Sequence, residues 1–165
     1  MLPALSAQEA DPFSSIGYSA PSGWELERNK PGREPELRFS KDLDAIKIRL
    51  RGGKGSRYAS ASDFVQGFEA TTLGRPPEKL RKIRVAGRRV WLYRHGYPVM
   101  LGDPHMQDPR PPQLAQEEFC VIPWGGKFWV LSWTLDSPVP DPEAAGERAW
   151  ELFLSSFVLK EGRPP

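Results

Sequence analysis

Phe119-Cys-Val-Ile-Pro-Trp124, then Gly125-Gly126, then Lys127-Phe-Trp-Val-Leu-Ser-Trp-Thr-Leu135 lead through a Pro-rich break to Ala144-Ala-Gly-Glu-Arg-Ala-Trp-Glu-Leu-Phe-Leu-Ser-Ser-Phe157. Two apolar runs around a Gly-Gly turn predict a β-hairpin. Asp141-Pro142 in the break suits a helix N-cap followed by proline at the first helical position. The helix after it would place Ala149, Trp150, Phe153, Leu154 and Phe157 on one face. The second strand is apolar on both sides, with Phe128 and Val130 on one and Trp129, Leu131 and Trp133 on the other. A strand of that kind is covered on both faces.

Upstream, Ala45 to Arg51 alternates strictly. Ile46, Ile48 and Leu50 point one way, and Lys47, Arg49 and Arg51 the other, as in a half-exposed antiparallel strand. Ser60-Ala-Ser-Asp63 opens a helix by side-chain capping, with Phe64, Val65 and Phe68 on its apolar face. Ile16–Ala20 and Glu36–Lys41 read as shorter strands, with a Pro21-Ser22-Gly23 turn leading into Trp24-Glu-Leu-Glu27. Leu80 to Val85 and Arg88 to Arg94 read as a second hairpin around Ala86-Gly87. Residues 95–114, with five prolines and two glycines, read as a long loop. Two helices covering the two faces of one sheet predict an α+β fold. The expected form is a three-layer α/β/α sandwich around a mostly antiparallel sheet of about six strands. Residues 1–15 are expected to be an N-terminal tail, 16–160 a single domain and 161–165 a C-terminal tail.

Net charge is +2, but residues 1–100 hold 18 Lys/Arg against 11 Asp/Glu, and residues 101–165 hold 5 against 10. Such asymmetry can mark a surface for an acidic partner. Residues 75–94 concentrate it: Arg75, Lys79, Arg81, Lys82, Arg84, Arg88, Arg89 and Arg94 stand against Glu78 alone. Lys47, Arg49 and Arg51 would add a second basic row if the two strands were neighbours. The expected partner surface therefore comprises Lys47, Arg49, Arg51, Arg81, Arg84 and Arg89 together with the 95–114 loop. Trp124 joins it as a tryptophan expected to stand exposed at the hairpin turn. An acidic protein fits better than nucleic acid, because the isoelectric point of 8.8 is modest and Trp91 and Tyr93 are the only stacking aromatics beside the stripe.

No catalytic constellation emerges. There is no G-x-S-x-G, and Gly52-Gly-Lys-Gly-Ser56 is too short for a phosphate-cradling loop. His95, Asp103 and His105 supply the minimum donor set for zinc or iron, and this is the alternative reading: a metal-binding protein or metal-dependent enzyme built on residues 95–108. The ten-residue histidine spacing matches no metal motif, so no cofactor is expected. Cys120 is the only cysteine, which excludes an intramolecular disulfide and predicts a buried thiol. No run of about 18 apolar residues exists.

Met1-Leu-Pro-Ala-Leu-Ser-Ala7 has the small residues of a signal-peptide tail at Ala4, Ser6 and Ala7, without the basic and apolar regions that precede one. Export to the periplasm or extracellular space is the expectation. Gln8 stands where a lipoprotein would carry its lipidated cysteine.

Tyr18-Ser-Ala-Pro-Ser-Gly-Trp24, Val85-Ala-Gly-Arg-Arg-Val-Trp91, Phe128-Trp-Val-Leu-Ser-Trp-Thr134 and Phe153-Leu-Ser-Ser-Phe157 together resemble the PsbP-like family, over roughly residues 16–160. That family includes extrinsic photosystem proteins, bacterial exported proteins and lipoproteins, and a Ran-binding branch. The resemblance implies an αβα sandwich and a non-enzymatic, usually exported accessory domain that binds another protein. It carries over no catalytic residue.

Overall fold

The computed structural model describes residues 10–30, 34–99, 113–135 and 145–160. A 3-10 turn, Pro12–Ser15, precedes the short strand β1 (Ile16–Gly17). Then come β2 (Glu25–Arg28), β3 (Glu36–Lys41), β4 (Asp44–Gly52), helix α1 (Ala61–Gln66) and a 3-10 turn, Phe68–Ala70. The second half holds β5 (Glu78–Val85), β6 (Arg88–Val99), β7 (Gln113–Trp124), β8 (Lys127–Leu135), helix α2 (Ala145–Ser156) and β9 (Val158–Leu159). Seven strands form one antiparallel sheet in the order β2-β3-β4-β8-β7-β6-β5, and β1 pairs with β9 in a separate two-stranded sheet.

The register explains the core. Leu37, Ile48, Leu131, Cys120 and Leu92 face one another across five successive strands, an unbroken apolar row on one side of the sheet. Helix α2 closes over this side with Trp150, Phe153 and Leu154, followed by Phe157, in the spacing its sequence predicts. Trp129, fully buried, sits between Phe13 and Trp124, with ring centroids 5.8 and 5.7 Å away.

The opposite side is mixed. At one end Phe64 of α1 packs edge-on against Tyr58 and Phe119 and tilted against Phe128. The predicted capping box starts that helix: Asp63 N–H donates to Ser60 Oγ, and Ser60 N–H donates to the Asp63 carboxylate, each at 3.1 Å. The rest of this side carries Lys47, Arg49, Arg51, Ser132, Thr134, Glu117 and His95.

The α/β/α sandwich is therefore corrected. The fold is mainly sheet, with one six-residue and one 12-residue helix among the described residues. Helix α1 is about 9 Å long against a sheet about 30 Å wide, too short to form a layer. The doubly apolar pattern belongs to the β7–β8 hairpin, and extending it to the whole sheet overlooked the charged second face of β4.

The loop expected over 95–114 is also shorter at both ends. Tyr97 pairs with Ala115, and β6 and β7 continue to Val99 and Gln113. Strand β5 covers β6 only as far as Arg94, so among the described residues no strand pairs with the outer edge of β6 at Pro98 and its missing N–H disrupts no ladder. Asp141-Pro142 lies outside the described residues.

Candidate functional site

Basic residues occupy two separate places. Strands β8, β7 and β6 stand between β4 and β5, so the two basic rows do not merge. Lys47 is half-buried, and Arg49 and Arg51 are each 8% exposed. These three form no open surface. Trp124, expected outside, is 5% exposed because its side chain lies on the α2 side of β7 and packs on Trp129.

Arg49 is held from several directions. Its Nη2 donates to Glu117 Oε1 at 3.0 Å and to Ser132 Oγ at 3.3 Å, and Nη1 lies 3.6 Å from Glu69. Arg51 pairs with Glu34 and Glu36 at 3.2 and 3.6 Å. Burial raises the Glu117 carboxyl, but the hydrogen bond from His95 and the charges of Arg49, His95 and Lys47 outweigh it and hold it at about 2. Glu117 is thus an ionised acceptor, and His95 Nε2 carries the proton it donates at 3.1 Å. The other ring nitrogen lies 3.2 Å from the Gly96 carbonyl.

Both histidine nitrogens are engaged inside the protein. Asp103 and His105, the other members of the expected metal set, lie outside the described residues. Among the described residues no three His, Cys, Asp or Glu side chains are grouped to hold a metal. Sequence reading missed Glu117, Glu69 and Ser132 because each meets Arg49 through long-range pairing. The alternation that puts Glu117 on the same face as Phe119 and Val121 was the one local signal available.

The exposed cations gather on the β5–β6 hairpin. Lys79, Arg81, Lys82, Arg84, Arg88 and Arg89 are all exposed, and none forms an ion pair within 4.0 Å among the described residues. The antiparallel register assigns their sides. Lys82 and Arg84 lie opposite Trp91 and Arg89, while Arg81, Ile83 and Val85 lie opposite Leu92, Val90 and Arg88, toward α2. Lys79 and Lys82 place their ammonium groups 5.3 and 5.2 Å from the Trp91 ring centroid, a cation–π pairing that holds both stems along the sheet.

Two grooves flank α2. One, about 540 Å³, runs between β5 and the end of the helix and is lined by Arg81, Ile83, Val85, Glu151, Leu154 and Phe157. The other, about 690 Å³, lies toward Trp24, Lys41, Leu152 and Phe153. No described helix is long and apolar enough to cross a membrane.

No protein-family model and no curated protein matches this chain, so the PsbP-like resemblance gains no support from either. Among solved structures, LpqN, described as involved in cell envelope biogenesis of Mycobacterium tuberculosis, aligns at a TM-score of 0.41 and 14% identity. The alignment covers 93% of this chain and 88% of that one. A likeness this loose carries no argument about fold or function.

Proposed function

We propose that this chain is a non-catalytic, exported binding domain that engages an acidic protein partner through its β5–β6 hairpin. One observation carries the reading: six exposed cations without ion pairs among the described residues, accompanied by the single carboxylate of Glu78, on the last hairpin of the sheet. Guanidinium and ammonium groups so arranged attract carboxylates and speed encounter, with an attraction that salt screens. Export belongs to the same proposal and rests on the sequence resemblance; cell fractionation of the full-length gene product tests it.

The binding test uses polyglutamate as the probe. Saturable binding at low salt is expected, weakening steeply as salt rises, and lost in the Arg81→Glu, Arg84→Glu, Arg89→Glu triple variant with its fold intact. Charges that merely keep the sheet edge from aggregating would bind nothing. Retention that does not change between low and high salt would refute the electrostatic mechanism. A single-stranded oligonucleotide bound more tightly than polyglutamate would redirect the reading to nucleic acid.

A further inference from the structure

We propose that β5 accepts an added strand: an extended acidic segment of another protein in which carboxylates alternate with aliphatic side chains. The proposal rests on the basic-hairpin reading and specifies the partner's chemistry.

The first ground is the unpaired edge. Among the described residues, strand β5 bonds to β6 on one side and ends the sheet on the other. Its residues, Glu-Lys-Leu-Arg-Lys-Ile-Arg-Val, include no proline, so beyond the register shift between Lys79 and Arg81 its outer backbone groups form a ladder ready for a partner strand.

The second ground is chemical asymmetry between the two sides of that strand. Lys79, Lys82 and Arg84 lie on the side of Trp91, and Arg81, Ile83 and Val85 on the side of α2. A strand laid alongside continues the same alternation. Beyond the register shift between Lys79 and Arg81, every second side chain would then stand beside Lys82 and Arg84, where opposite charge is favoured across a strand pair. The intervening side chains would enter the groove against Ile83, Val85, Leu154 and Phe157. Arg81 and Arg84 reach the same groove beside Glu151, so its preference for aliphatic groups rests on the apolar wall of Ile83, Val85, Leu154 and Phe157.

The third ground is an uncovered apolar end. Val158, at the close of the same groove, is 49% exposed. An aliphatic side chain entering there would cover it.

The opposite edge of the sheet, β2, carries Glu25, Leu26 and Glu27 in a similar alternation, with Leu26 57% exposed. It spans four residues against the eight of β5, so a second copy pairing through β2 could cover only half the ladder, and one pairing through its own β5 would set like charges against each other. A longer foreign segment satisfies more of it.

The experiment uses the full chain and two synthetic peptides of equal composition, one alternating Glu and Val, the other with the same residues in two blocks. The alternating peptide is expected to bind about tenfold more tightly or better, because it alone buries valines in the groove while keeping its acids on the basic side. Backbone amides of residues 78–85 should gain protection from hydrogen exchange only with that peptide. Ile83→Thr, a strand-compatible change, should weaken the alternating peptide and leave polyglutamate binding unchanged. Equal affinity for the two peptides without protection of β5 overturns strand addition while leaving the basic-hairpin reading standing. Failure of polyglutamate to bind overturns that reading as well. Concentration-dependent assembly that Leu26→Glu abolishes and the peptide does not reverse would assign the edge to a second copy, and would also overturn the proposal.

Discussion

Arg49 on β4 and Glu117 on β7 meet across the intervening strand β8, Nη2 to Oε1 at 3.0 Å, although 68 residues separate them in sequence. Both side chains are nearly enclosed, 10% and 12% exposed. An enclosed ion pair gives up hydration that its mutual attraction must offset, so its clearest structural consequence is register. A one-residue slip of β7 would turn Glu117 toward the apolar side under α2 and leave Arg49 without its carboxylate.

Acid should weaken this protein through Glu117. Its carboxyl is held at about 2 in the folded state against an ordinary 4.5. A carboxyl lowered by folding contributes in full above its unfolded value, and the contribution disappears as pH falls through the folded value. Stability is expected to drop between about pH 4.5 and 2, by on the order of 3 kcal/mol from this residue. Urea unfolding at a series of pH values checks it: Glu117→Gln should be less stable at pH 7 and show a shallower acid slope.

Lys47 works in the opposite direction. It is half-buried and has no ion pair or hydrogen bond among the described residues. Burial, Arg49 and Arg38 push its ammonium below the usual lysine range, against the pull of Glu117 and Glu36. A lysine lowered by folding costs stability while it is charged, and the cost eases as pH rises through its folded value. Lys47→Met is expected to stabilise the protein by about 1 kcal/mol at neutral pH, since a flexible apolar chain of similar length removes that cost. Thermal unfolding of the variant should show a raised midpoint.

Gly146 is expected to resist replacement. An exposed helical Gly→Ala change ordinarily stabilises by about 0.5–1 kcal/mol. Here a Cβ would overlap the Asp44 carboxylate, which accepts the Trp133 indole N–H at 2.8 Å. Gly146→Ala should therefore destabilise by about 1–2 kcal/mol as that carboxylate is displaced. Denaturant titration gives the sign, and an altered Trp133 indole resonance would locate the disturbance.

Cys120 should be inert in the folded protein. It is fully enclosed, and burial pushes its thiol up to about 12. Since the thiolate is the reacting species, a chromogenic disulfide reagent should find no thiol at neutral pH and a full equivalent after guanidinium unfolding. Rapid native labelling would contradict the burial.

Much of the local structure was legible beforehand. Ser60 and Asp63 form the expected capping box because the residues that satisfy the helix's first donors lie within one turn. Ile46, Ile48 and Leu50 face the core as their alternation predicts. Trp150, Phe153, Leu154 and Phe157 follow their helical spacing into it. The sandwich misled because one hairpin's two apolar faces stood for the whole sheet, and Trp124 misled because a turn position says nothing about what lies beneath it.

The sequence by itself determined which residues share a face and where the turns fall, since alternation, capping and turn chemistry act over a few positions. Only the tertiary structure decided that Arg49 and Arg51 are enclosed while Arg81, Arg84 and Arg89 are exposed. That difference comes from strand order. Strand β4 lies inside the sheet, where Glu117, Glu69, Glu34 and Glu36 reach its arginines, and β5 lies at the edge, where no described carboxylate does. Order of that kind arises from pairings between distant segments, and the alternation within each strand is the same whichever neighbour it acquires.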